Sequence, residues 1–540
     1  MSGRNGKKLV LADSLSAEGL RILADAPGLV VEDLSGAPRE ELKRALADSA
    51  GLIVRSGTRA DRDLLESAAS LEVIGRAGVG LDNIDIDAAT QRGVAVLNAP
   101  AGNTVSTAEL TIALLLAAAR RVPEADRSVR EGKWDRAGLR GRQLAGSTLG
   151  VVGAGRIGRE VIRRALAFGL RVLAHDPYLG SDRAADLGVT FTDLDALLAE
   201  SDFVTLHLPL NDETSRLFDA KRIARLKPGA ILVNAARGGL VDEKAVAAAL
   251  RSGRLAGAAF DVFETEPLPE RHSLRDAPNV VFSPHIGAST AEAQREVAIE
   301  IAHAMRDALL EGDLRSAVNV TPVGAEERRR LEPVLDLARR LGLLAGSLAG
   351  PGARRLEVRL ASPAERGLRL VAAAAVIGYL RGTLAGPLNL VNALVVAEEH
   401  GLEVGRSRVP PVPGHTAWVE VAATTPGGAR SVAGAIREDR SACIVRLDGF
   451  AVNVRPRGTL LLVRNRDVPG VIGRIGTLLG EAGVNIGEFH QAREVRGGEA
   501  LAVLGLDDPL PEGLGATLQA LPEVLEVREV RIDTDAGEAG

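Results

Sequence analysis

The sequence predicts an α/β fold, in which a doubly wound parallel sheet follows a smaller α/β unit and precedes further α+β units. Three observations predict it. The apolar run Leu149-Gly150-Val151-Val152 leads straight into Gly153-Ala154-Gly155-Arg156-Ile157-Gly158, and Arg159 to Phe168 then carries helical spacing. Strand and helix patterns alternate on both sides of that corner. Past Gly458, short strands are interleaved with a helical stretch in one compact unit.

Taken in order, Lys8 to Asp13 reads as a first strand, and Gly51-Leu52-Ile53-Val54 and Leu71-Glu72-Val73-Ile74 as later strands of a unit ending near Asn98. Ser106 to Arg120 reads as a long apolar helix capped by Thr104 or Ser106. After the glycine corner, Leu170 to Ala174 is a strand ending at His175-Asp176. The strands Phe203–His207, Ala230–Asn234, Gly257–Asp261 and Val280–Ser283 follow. Each ends in a polar residue, as at the carboxyl edge of an open α/β sheet where ligands bind. Thr290 to Leu310 is a helix that returns the chain to the first unit. Beyond Asn319, a charged entry at Glu326–Arg330 opens helices, and strands such as Ala417–Ala422 and Ala442–Leu447 alternate. The last unit reads as strand Thr459–Arg464, helix Val471–Ala482, then strands near Gly487–Glu494, Ala500–Leu506 and Val524–Arg531, with a frayed tail from Asp533.

The glycine corner carries chemistry. Gly153 permits a tight turn, Gly155 lets the backbone approach a pyrophosphate, and Gly158 lets helix meet strand. The free N–H groups and positive dipole end of the new helix suit phosphates. Asp176 follows Gly158 by 18 residues, where a carboxylate accepts from both ribose hydroxyls and repels a 2′-phosphate. The corner therefore predicts a Rossmann-type unit binding NAD. The nearby Gly75-Arg76-Ala77-Gly78-Val79-Gly80 has the wrong glycine spacing and no helical pattern behind it.

Composition narrows the function classes. The 540 residues are 46% hydrophobic and 25% charged, room for three or four cored domains. Aromatics at 2% and a net charge of −5 argue against nucleic-acid and membrane partners. The single Cys443 excludes a disulfide framework and a cysteine-rich metal site, and no metal is expected. No secretory pattern opens the chain, and its apolar runs are too short to span a bilayer, so a cytoplasmic protein is expected.

An NAD site needs a proton acceptor and a substrate anchor. Arg237, at a glycine-flanked turn after a strand, suits a substrate carboxylate. Glu266 and His285 follow the next two strands, and a carboxylate bonded to one ring nitrogen would orient the imidazole while the other nitrogen takes a hydroxyl proton. Position alone does not choose the base, since His175 and His207 also lie beside the cleft.

Val54-Arg55-Ser56, Gly75-Arg76-Ala77-Gly78, Gly153 to Gly158, Asn234 to Gly239, Ala259 to Phe263 and Ser283 to Thr290 resemble, in order and spacing, the D-isomer-specific 2-hydroxyacid dehydrogenases over about residues 6–318. That resemblance implies that Arg237 binds the carboxylate, Glu266 orients the base and His285 moves the proton. It implies NAD contacts at Val79, Gly153, Gly155, Arg156, Ile157, Gly158, Asp176, Leu208, Ala235, Asp261, Gly287 and Ala288. Pro100 to Glu109 and Glu131 to Arg136 resemble the branch acting on 3-phospho-D-glycerate, implying substrate contacts at Arg55, Ser56, Asn103 and Arg136, the last from a partner subunit. Asn465 to Gly473 with Ala482 to Ile486 resembles an ACT domain, which implies an effector, L-serine, at Asn465, Asp467 and Asn485. Residues 319–452, with Pro387-Leu388-Asn389-Leu390-Val391-Asn392, resemble the intervening domain of the long form.

The expected division is a flavodoxin-like substrate domain at 6–99 and 288–318, an NAD domain at 100–287, and two α+β regulatory domains at 319–452 and 458–532, in a homotetramer. The expected activity is oxidation of 3-phospho-D-glycerate to 3-phosphohydroxypyruvate. The alternatives are a reductase of another small 2-keto acid, such as glyoxylate or hydroxypyruvate, and a corepressor-like NAD sensor.

Overall fold

The computed structural model describes residues 6–179, 187–350, 352–362, 367–381, 383–384 and 387–532, so the tail expected to fray lies outside the described residues. The first sheet is parallel, ordered β2-β1-β3-β4-β5, from β1 (Lys7–Leu11), β2 (Leu29–Asp33), β3 (Gly51–Val54), β4 (Val73–Arg76) and β5 (Ala95–Asn98). Its inner strands are apolar on both faces because helices cover both sides. One covering helix is the later Ala291–Glu311, whose Val297, Ile301 and Met305 join Leu9 and Ile53 in one core. The sequence pattern that returns the chain to this unit is thus realised by burial.

The second sheet contains β6 (Thr148–Val152), β7 (Arg171–His175), β8 (Thr190–Phe191), β9 (Phe203–Leu206), β10 (Ala230–Asn234), β11 (Leu255–Phe260) and β12 (Val280–Phe282). Its order, β12-β11-β10-β9-β6-β7-β8, reverses between β6 and β9, which opens a crevice at their carboxyl ends. Two boundaries differ from expectation. The helix behind β6 runs Arg156–Ala167, starting three residues early because Gly155 completes the turn at once. The helix Thr104–Arg120 has Asn103 at its cap, so Thr104 and Ser106 lie inside it, and the Ser106 hydroxyl instead donates to the Gly287 carbonyl at 2.8 Å.

The third sheet is mixed, ordered β14-β13-β15-β16-β17-β18, from β13 (Arg355–Ala361), β14 (Glu403–Arg408), β15 (Ala417–Thr425), β16 (Gly428–Ile436), β17 (Ala442–Leu447) and β18 (Phe450–Val454). The helices Ala325–Ala349 and Gly367–Tyr379 pack on it. The Pro387–Asn392 segment docks on the first unit: Asn389 Nδ2 donates to Gly93 O at 2.8 Å and Asn392 Nδ2 to Gln91 O at 3.2 Å. The fourth sheet is antiparallel, β20-β21-β19-β22, from β19 (Gly458–Arg466), β20 (Ile486–Arg493), β21 (Glu499–Leu506) and β22 (Val524–Ile532). Leu461 and Val463 of β19 face its own helices, while Leu460 and Leu462 enter the core of the third unit. That alternation explains why Leu460 to Val463 is apolar without a break.

Candidate active site

The glycine corner sits at the crevice. Gly153 has φ +95°, and a Cβ on it would collide with the His207 carbonyl; one on Gly158 would collide with the Gly153 carbonyl. At Gly155 nothing of the protein lies within 4 Å of where a Cβ would be. Packing demands glycine at 153 and 158, whereas Gly155 keeps open space in front of a helix whose start has no side-chain cap. Those free amides and that space fit a pyrophosphate. Asp176, one residue past β7, accepts from Ala154 N at 2.9 Å through Oδ2 and from Tyr178 N at 3.0 Å through Oδ1. A carboxylate has about four acceptor positions, so it clamps the corner and keeps capacity for ribose hydroxyls. Arg156 and Ile157 open the helix, and the Leu208 side chain approaches Gly153 from the end of β9. These residues fit NAD.

Three loops after β10, β11 and β12 meet beside this corner. Asn234, buried at the end of β10, donates to Arg237 O at 2.9 Å and accepts from Ala236 N at 3.1 Å, which shapes the turn holding Ala235 and Arg237. A Cβ on Gly238 would collide with Phe263 O, so only glycine lets this turn touch the loop bearing Glu266. Glu266 Oε1 accepts from Phe263 N at 3.0 Å, and its Oε2 lies 2.7 Å from His285 Nδ1. Asp261, 1% exposed, holds the His285 turn: its Oδ1 accepts from Ser283 Oγ at 2.6 Å and Ile286 N at 2.9 Å, its Oδ2 from Gly287 N at 2.9 Å. Ala288 follows on the same turn. The other two candidate histidines are otherwise engaged. His175 Nδ1 lies 3.0 Å from Thr192 O. His207 pairs its Nε2 with Thr205 Oγ1 at 3.1 Å, its Nδ1 is buried without a partner, and burial pushes the ring down to about 3. A ring held neutral so far below physiological pH is a poor base.

Across the crevice the first sheet supplies cations. Arg237 Nη1 donates to Ala236 O at 2.7 Å and Nε lies 3.5 Å from Asp82 Oδ2, in the loop after β4. Arg76 ends β4, inside the glycine-rich segment that carries no cofactor pattern. Burial holds its guanidinium below the usual arginine range, Arg237 and Arg55 add to that, and its Nε is buried without a partner. Arg55 follows β3 on a loop shaped by Asp13, which accepts from Arg55 N at 2.6 Å and Thr58 N at 3.1 Å; Ser56 stands exposed on that loop. Val79 O accepts from Asn98 Nδ2 at 2.8 Å. Asn103 Oδ1 is buried without a partner at the start of helix Thr104–Arg120, whose Ser106 and Thr107 hydroxyls donate to Gly287 O. Arg136 is different: it is exposed beyond helix Val122–Arg130, and no hydrogen bond or ion pair joins it to these groups among the described residues. The signal for Arg76 in the sequence is its place as the polar residue ending a strand, the same rule that marks the second sheet.

The fourth sheet separates the three expected effector residues. Asn465 is buried with Oδ1 unpartnered, and Asp467 Oδ2 accepts from Arg493 Nη1 at 2.7 Å and Gly497 N at 3.0 Å. The Gly497 amide first, then Arg493, holds this carboxyl below its usual range. Asn485 donates to Asp507 Oδ2 at 2.6 Å, next to the Ile486–Leu506 pairing, whereas Asn465 pairs with Ala500. Those ends are roughly 20 Å apart at strand rise. One chain therefore does not bring Asn485 to Asn465 and Asp467.

The chain has known relatives. D-3-phosphoglycerate dehydrogenase of Synechocystis is 39% identical over 97% of this chain and 93% of its own length. That of Mycobacterium tuberculosis is 40% identical over 97% and 98%, and that of Bacillus subtilis 35% over 96% and 99%. The chain belongs to the D-3-phosphoglycerate dehydrogenase family. Residues 112–287 match the NAD binding domain of the D-isomer specific 2-hydroxyacid dehydrogenases, 330–448 the D-3-phosphoglycerate dehydrogenase intervening domain, and 459–523 the ACT domain. This D-3-phosphoglycerate dehydrogenase family member thus has a dehydrogenase portion with solved counterparts. A Thermus thermophilus protein is 42% identical with TM-score 0.51, covering 56% of this chain and 97% of its own. A glyoxylate reductase from Paecilomyes thermophila is 32% identical with TM-score 0.54, covering 58% and 98%. Among the described residues, no helix is long and apolar enough to cross a membrane.

Proposed function

We propose that the chain oxidises 3-phospho-D-glycerate to 3-phosphohydroxypyruvate with NAD, the first step of phosphorylated L-serine biosynthesis. One observation carries this reading: the loop of the His285–Glu266 pair touches the turn of Arg237, and Arg237 and Arg55 both lie close enough to Arg76 to repel it. A substrate bearing both a carboxylate and a phosphate needs more than one cation, whereas an unphosphorylated 2-keto acid needs one. In this scheme residues 6–99 and 288–318 form the substrate unit, 100–287 the NAD unit, and 319–452 and 458–532 the regulatory units.

Bound NAD supplies the acceptor for the hydride leaving the carbon that carries the hydroxyl. The chain does the rest. Arg237 forks onto the carboxylate and fixes that carbon against the dinucleotide crevice. Arg55, Arg76, Ser56 and Asn103 hold the phosphate end, with Arg136 reaching in from a second copy. His285 Nδ1 donates to Glu266, so its Nε2 accepts the hydroxyl proton as the C–H bond breaks and the carbonyl forms. Glu266 orients the ring and stabilises the resulting imidazolium.

The fourth sheet supports an effector role across two copies. Its edge strand β20 carries the Asn485 end and the Asp467–Arg493 end at opposite extremes. Antiparallel pairing of two such edges about a two-fold axis brings one copy's Asn485 to the other's Asp467. L-Serine, whose ammonium and carboxylate suit this set, is the proposed ligand, in a homotetramer. The cytoplasm is its proposed compartment, from its cysteine usage.

The test follows NADH absorbance with 3-phosphoglycerate and with unphosphorylated 2-hydroxy acids, with and without serine. Turnover confined to the unphosphorylated acids refutes the substrate, and no turnover on any of them refutes the enzyme. Identical serine titrations of wild type and Asp467→Ala refute the effector site.

A further inference from the structure

The loop that carries Glu266 is held from behind by a second carboxylate–imidazole pair that the mechanism above does not use. Glu243 opens the helix Glu243–Arg251 and is 4% exposed, with Asp242 capping that helix through Ala245 N. Its Oε1 accepts from Glu264 N at 2.8 Å, and its Oε2 lies 3.0 Å from His272 Nε2. His272 Nδ1 accepts from Leu274 N at 3.4 Å, so the ring proton sits on Nε2 and is donated to Glu243.

Two consecutive amides therefore go to two different acids: Phe263 N to Glu266 and Glu264 N to Glu243. Between them the Phe263 carbonyl presses on Gly238, beside Arg237. Glu243 lies on the same segment as Arg237, six residues on. It thus bonds the loop of the orienting carboxylate to the segment of the substrate anchor. A buried carboxylate is expensive unless its bonds are satisfied, and here both oxygens are. We propose that Glu243, steadied by His272, is a positioning residue that sets the Glu266–His285 hydrogen bond relative to Arg237 without touching substrate.

This rests on the assignment of His285 as base, although not on which 2-hydroxy acid is oxidised. Misplacement by about 1 Å is worth up to 10²-fold in rate. In the full-length enzyme Glu243→Ala is expected to lower kcat about 10- to 100-fold, with KM and NADH affinity, read by fluorescence, within about threefold. Glu243→Gln, whose oxygen still accepts from Glu264 N while its amide nitrogen faces His272, is expected to recover part of that loss. In a Glu266→Gln background the further loss from Glu243→Ala is expected to fall below about threefold, because both act through one bond.

Wild-type kcat in Glu243→Ala overturns the proposal, and so does a full, additive loss on top of Glu266→Gln. If Glu243→Ala does not fold, His272→Gln takes its place: a severalfold fall in kcat with KM within about threefold supports the proposal, and an unchanged kcat overturns it. A wild type that oxidises a different 2-hydroxy acid defeats the substrate assignment alone, and the Glu243 series then runs on that acid.

Discussion

Replacing Arg76 by methionine should move stability and function in opposite directions. In the free protein its guanidinium is mostly buried, its Nε has no partner, and Arg55 and Arg237 repel it. An unsatisfied buried donor costs about 1–3 kcal/mol, which Asp82 and Asp13 offset in part. Methionine keeps the length of the stem and removes both the donor and the charge. Arg76→Met should therefore stabilise the free protein by about 1 kcal/mol, or roughly 2–4 °C in the melting of the first unit. A charge-assisted hydrogen bond to the substrate anion is worth about 1.5–3 kcal/mol. At about 1.4 kcal/mol per tenfold, the variant should raise KM for 3-phosphoglycerate by about 10- to 150-fold, with a smaller change in kcat. Thermal melting with and without substrate, together with initial-rate kinetics, reads both effects. A variant that melts lower than wild type yet keeps KM within about threefold would refute the reasoning, because Arg76 would then be a structural arginine.

Three further outcomes follow from the same geometry. His285→Ala should cut kcat by about 10²–10⁴-fold and leave NADH binding by fluorescence unchanged; near-normal turnover removes it as the base. Asp261→Asn should lower stability by about 1–3 kcal/mol in denaturant titration and also slow turnover, because an amide nitrogen then faces one of the Ser283, Ile286 or Gly287 donors. His207, pushed down to about 3 by burial, stays neutral in the fold while the unfolded chain takes up a proton below about 6.5. Its contribution is thus complete above pH 6.5 and is lost as the pH falls toward 3. Denaturant midpoints from about pH 7 to about pH 4 should fall less steeply in His207→Gln than in wild type, and parallel curves would contradict this.

Much of the fold is written locally. Period-2 and period-3.6 apolar spacing marks nearly every strand and helix, and the glycine corner announces its own function because its turn, approach and packing each require glycine at a fixed offset. Elements slip where a tertiary partner claims a polar side chain. Ser106 looks like a cap in isolation, yet its hydroxyl is taken by Gly287 O, 181 residues away. Asp261 is expected at the cofactor, and its oxygens hold the His285 turn as well. Arg76 shows in the sequence only as the polar residue ending a strand; its weight comes from the burial and the two like charges that the fold puts around it.

The sequence by itself determined the residue types and their order: an NAD corner, an arginine, a glutamate and a histidine at successive strand ends, and two further units behind them. Spacing leaves the base open among His175, His207 and His285 and the family resemblance points to His285; the tertiary structure decides what each ring meets, a carboxylate at His285 and threonine oxygens at the other two. It also decided that Leu460 and Leu462 join the third unit, and that Asn485 stands at the far end of the sheet from Asp467. The reason is physical. Secondary structure follows from neighbours a few residues apart, whereas charge state, partner and burial come from groups brought together across long stretches of chain.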